Sequence, residues 1–146
     1  MRSESAKWLG LFVLLFLTSC TGRDSSGGAG VYPKAVSAVD ETSAIQTLRT
    51  IATAQAQARA TRGSFADFNS LVQAGFLDQR FAGETPILRG YRFKMTAGEN
   101  DFSVNADPQT PVGQDATGGR HFYLDSTDNT IHANRTQTAA RTDPGL

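Results

Sequence analysis

The sequence predicts an α+β fold, a long N-terminal helix and a short second one packed on one face of a four-stranded antiparallel sheet. Three observations predict it. Apolar residues between Asp40 and Arg62 recur at helical spacing. After Gly90 the apolar period drops from 3.6 to 2. Turn-rich stretches then divide the alternating part into two hairpins. With 146 residues, the chain has room for one such domain.

The long helix is expected over Asp40–Arg62, where Ala44, Ile45, Leu48, Ile51, Ala52 and Gln55 share one side. Asp40 suits the N-cap and Glu41 the first turn. Arg59 and Arg62 suit the negative end of the dipole, and Gly63 the position just past it. Alanines at 52, 54, 56, 58 and 60 keep the second half thin, so a sheet can approach closely. A short helix is expected in Ser64–Asp78, capped by Ser64, with Phe68, Leu71 and Val72 inward and Gly75 ending it. Residues 79–89 read as a loop.

Tyr91, Phe93 and Met95 then alternate with Arg92, Lys94 and Thr96, and Phe102, Val104 and Ala106 with Ser103, Asn105 and Asp107. The stretch AGEND turns between them, giving one apolar and one wet face. Residues 108–119 form a Pro/Gly loop. His121–Leu124 and Thr130–Ala133 flank the turn DSTDN as a second hairpin. The last dozen residues, 135–146, are expected to be a disordered tail.

The first forty residues have a different character. A basic start precedes an apolar run, Trp8–Leu17, which as a helix spans about 15 Å, half the roughly 30 Å of a hydrocarbon core. That is the pattern of an export signal. Leu17-Thr18-Ser19-Cys20 follows, with the only cysteine of the chain. This stretch resembles the lipobox of bacterial lipoproteins. The resemblance implies cleavage after residue 19 and lipidation of Cys20 with palmitate-type chains. With Thr21 rather than Asp next, the sorting rule of Gram-negative lipoproteins implies the outer membrane, facing the periplasm. A lone thiol consumed by acylation also leaves no free thiol in an oxidising compartment. Residues 20–39, rich in Gly and Ser, read as a flexible tether, and residues 40–134 as the folded domain.

The chain carries 14 Lys+Arg against 14 Asp+Glu. Loss of residues 1–19 removes Arg2, Lys7 and Glu4 and leaves 12 basic against 13 acidic residues. That balance selects neither nucleic acid nor an anionic surface as partner.

Several phrases within residues 41–134 resemble the globular part of type IV pilins and type II secretion pseudopilins: "LVQAGFLD", "GYRFKMTAGENDFSVNADPQTP" and "RHFYLDSTDNTIHAN". The resemblance implies a helix on a four-stranded antiparallel sheet. It does not extend to fibre assembly, because residues 20–38 lack the continuous apolar helix that forms a pilin fibre core. Some pseudopilins bind calcium in a C-terminal loop. The nearest candidates here are Asp125 and Asp128, with Asp115 upstream, but the EF-hand spacing and its closing Glu are absent. A run rich in Asp and Asn is far more often just a turn, and these residues are read as one.

No motif for catalysis, metal or cofactor occurs. The two histidines, His121 and His132, fall on expected strands. The reading is a lipid-anchored envelope module without catalysis or cofactor, an accessory of a secretion or pilus system. Its partner face is expected around Arg92, Lys94, Tyr123 and His132, with Arg89 and Arg120 nearby. The alternative is an envelope enzyme or small-ligand binder with a site near His121, Tyr123, Asp125 and His132, which requires those side chains to converge in a concave pocket.

Overall fold

A computed structural model describes residues 31–109 and 119–146, with side chains from residue 38 onward. It is α+β, with helices on an antiparallel sheet of five strands rather than four. Helix α1 spans Val31–Arg62. It begins nine residues before the expected cap at Asp40, inside the stretch read as tether. Pro33 falls in its first turn, where the backbone N–H would have no intrahelical acceptor.

Burial along α1 follows Ala44, Leu48, Ile51, Gln55 and Ala58, alternating steps of four and three. Ile45 and Ala52 lie at the margin of this stripe, while Ala54 and Ala58 face inward. Of the five alanines expected to thin this half of the helix, only Ala54 and Ala58 are buried against the core, while Ala56 and Ala60 are exposed. Threonines 42, 47, 50, 53 and 61 each donate their hydroxyl to the carbonyl four residues back, at 2.8–3.0 Å, so these β-branched residues add no unpaired polar atom to the helix surface. The helix stops as expected, with the Gly63 amide bonded to Arg59 O at 2.9 Å.

The second helix is shorter than expected. Helix α2 covers Phe68–Gln73, capped by Asp67, whose Oδ1 accepts from the Ser70 amide at 2.7 Å. Ser64 is not its cap. Buried Gln55 fixes the intervening loop by pairing with both backbone groups of Ala66. Its Nε2 donates to the carbonyl at 2.6 Å and its Oε1 accepts from the amide at 3.0 Å.

Strand β1, Ile87–Leu88, was expected to be loop. It pairs with β2 (Tyr91–Ala97) through a two-residue turn in which Arg89 and Gly90 both have positive φ, 46° and 76°. Such turns suit the twist of a hairpin. Strand β3 (Phe102–Pro108) pairs with β2 over seven positions, β4 (His121–Asp125) with β3, and β5 (His132–Asn134) with β4. The order is the simple meander β1-β2-β3-β4-β5.

Tyr91, Phe93, Phe102, Val104, Ala106, Phe122 and Leu124 project from one face into a core shared with α1 and α2. At the N-terminal side of α1, Glu41 reaches the start of β4: Oε1 accepts the Arg120 amide at 2.8 Å and Oε2 its guanidinium at 3.1 Å. Tyr91 Oη donates to Arg120 O beside them, at 2.9 Å. Gly119 lies so close beneath that a Cβ would overlap the Tyr91 hydroxyl. Among the described residues no helix is long and apolar enough to cross a membrane.

Candidate functional site

The face of the sheet turned away from the helices is polar because strand alternation sends every second residue there. The register places Lys94, Asn105, Tyr123 and His132 in one cross-strand row, and Thr96, Ser103 and Asp125 in the next. Arg92 opposes Asp107. All four residues expected on a partner face thus share it, but their exposure differs. Arg92 and Lys94 are exposed, Tyr123 is half-buried, and His132 is only 8% exposed.

The cause is the C-terminal segment. Residues 135–146, expected to fray, instead cross this face and return to the edge of β5. Asn134 starts the turn, its Oδ1 accepting from the Thr136 and Gln137 amides at 2.9 and 3.2 Å. Asn105 Nδ2 donates to Ala139 O at 2.8 Å, reaching the segment from β3. Arg141 Nε donates to Asp125 Oδ2 at 2.6 Å, and its Nη2 to Thr127 Oγ1 at 2.8 Å. Asp143 accepts from Asn134 Nδ2 at 2.8 Å. The chain then pairs with the outer edge of β5 through Ala133 N to Pro144 O and Leu146 N to Ile131 O, both 2.9 Å. A solvated face was expected across all four strands; the β4–β5 half is covered.

Two polar centres lie under this segment. At the first, Asp125 is buried, which alone would raise its pKa. The Thr127 amide, the Tyr123 hydroxyl and Arg141 outweigh that and hold it below the ordinary value of 3.8. Burial and the Asp125 carboxylate push the Tyr123 phenol up. At the second, His132 Nδ1 lies 2.7 Å from Asp143 O and Nε2 lies 3.2 Å from Asp128 Oδ2. Two acceptors favour the imidazolium, so its pKa is raised above 6.5, chiefly by the Asp143 carbonyl.

His121 is bound elsewhere, its Nδ1 2.5 Å from Asp107 Oδ1. The two histidines each hold a different carboxylate, and the cavity beside Tyr123 and Asp125, about 170 Å³, includes neither. Asp125 is engaged by Arg141 and Asp128 by His132 and the Thr130 amide, at 2.9 Å for the latter. Among the described residues no three His, Cys, Asp or Glu side chains are grouped to hold a metal. Cys20 and Asp115 lie outside the described residues. Arg120 belongs to the α1–β4 junction with Glu41, not to the polar face.

The sequence showed the alternation that creates this face, but not its cover. The one signal was local: Asn134, Asp143 and Pro144 are turn formers in a segment otherwise too short of apolar residues to suggest packing. A shallow groove of about 660 Å³ lies on the other side of the sheet, where Ala52 and Ala56 of α1 leave room beside Phe65, Phe102 and Ile131. Compared with protein-family models, with curated proteins and with solved structures, the chain matches none.

Proposed function

We propose that the protein is a lipid-anchored component of a bacterial cell envelope that presents a pilin-like domain for protein–protein interaction, without catalysis. The observation that carries the reading is the lone Cys20, set at the end of a short apolar run in Leu17-Thr18-Ser19-Cys20. Two or more acyl chains on that residue give stable anchorage, each buried methylene adding about 0.8 kcal/mol. The α+β arrangement of a long helix on an antiparallel meander is compatible with the resemblance to pilins and pseudopilins.

The surface offered to a partner is then the β2–β3 half of the polar face, where Arg92 and Lys94 remain exposed. A secretion or pilus protein of the envelope is the partner class. The enzyme reading is weaker, because His121 and His132 are engaged separately by Asp107 and Asp128.

Metabolic labelling with palmitate tests the anchor: the parent chain takes up label and fractionates with membranes, and Cys20→Ala does neither. An unlabelled parent would refute acylation. Crosslinking in intact cells from a cysteine placed at position 92 or 94 tests the face. Capture of an envelope partner at these positions, and not at exposed Arg80 or Gln57 on the far side, is the expected result.

A further inference from the structure

We propose that the C-terminal segment 135–146 is a pH-gated strap, latched over the β4–β5 half of the polar face when both ring nitrogens of His132 are protonated and loosened when one proton leaves. The strap is held by hydrogen bonds and the Arg141–Asp125 ion pair rather than by a core. Ala139 is its one fully buried residue. Its closure therefore depends on the chemistry of a few polar contacts.

His132 is the contact whose chemistry changes near neutral pH. An imidazolium donates to both Asp143 O of the strap and Asp128 Oδ2 of the β4–β5 turn. Neutral imidazole has one N–H, so in either tautomer a ring lone pair faces an oxygen. The groups around the ring reinforce this. Asp125 and Tyr123 face it from β4, Asp128 from the turn, and Asp143 and Arg141 approach from the strap. Arg141 is itself paired with Asp125, so carboxylates outnumber free cations here and favour the charged ring.

The sign follows from the raised pKa. Closure is strongest below about 6.5 and fades as pH rises through the folded-state value. Each pKa unit of elevation corresponds to about a tenfold change in the ratio of closed to open strap.

Amide hydrogen exchange of the full chain, corrected for intrinsic rates and compared at about pH 5.5 and about pH 8, reads this equilibrium. The probes are the Leu146 and Ala133 amides, which bond across the strap, with the amide of Ile51 on the buried stripe of α1 as core reference. Their protection relative to Ile51 falls at the higher pH, and His132→Gln removes the fall. Arg141→Gln lowers protection at both pH values and keeps the trend. Equal relative protection at the two pH values in the parent, or an undiminished trend in His132→Gln, overturns the proposal. Should His132→Gln fail to fold, the ring titration of His132 decides: a higher midpoint in the parent than in the chain truncated after Asn134 supports the latch, and equal midpoints overturn it.

Discussion

At the scale of single residues, every buried polar side-chain atom among the described residues has a hydrogen-bond partner, and that makes its loss costly. Gln55 shows why. Its place on the inner stripe of α1 was legible from spacing, but its role was not, because Ala66 comes within reach only after the loop beyond Gly63 turns back. Gln55→Leu leaves both Ala66 backbone groups without that partner and is expected to destabilise the fold by about 1–3 kcal/mol, measured by urea denaturation. Asp125 gives the acid-side counterpart of His132. Its folded pKa lies below 3.8, so the stability it contributes is present above that value and disappears as pH falls through the folded one. Stability measured against pH is therefore expected to drop on this acid limb, and the drop is smaller in Asp125→Asn.

Among the elements, the long ones were legible and the short ones were not. Strands β2 and β3 alternate over six or seven residues and sit where the sequence put them, whereas β1 has two residues and no room for a period. Its hairpin turns on Arg89-Gly90 rather than a more recognisable Asn-Gly or Asp-Gly pair. Helix α1 gave a clear period but a misplaced start, because its first turns precede the apolar stripe. Asp40 looked like a cap on composition alone, although the helix runs through it. Glu41, expected in the first turn after an Asp40 cap, instead lies well inside α1 and ties it to the start of β4 at Arg120. Glu41→Ala is expected to cost about 1.5–3 kcal/mol in chemical denaturation, because the Arg120 amide and guanidinium both lose a charged acceptor.

For the molecule as a whole, the sheet has two polar-face regions with different fates. Arg92 and Lys94 stay open on β2, while the chain's own C-terminus covers Tyr123, Asp125 and His132. A binary apolar pattern locates a core, but a cover built from hydrogen bonds leaves almost no such pattern, so this part of the candidate site was invisible in advance. Truncation after Asn134 is expected to lower the melting temperature while retaining cooperative unfolding and the helical circular-dichroism signal. Mapping by nitration is expected to find Tyr123 more reactive in that truncated protein, and unchanged reactivity would mean the segment shields little. The pairing of residues 144–146 with β5 also has a geometric outcome. With that rim plugged, the border left open among the described residues runs along β1 and the outer edge of β2 beyond Phe93, and copies joining at that border would meet like against like and close as a pair. Open-ended stacking by continuous strand ladders would first require the plug to leave.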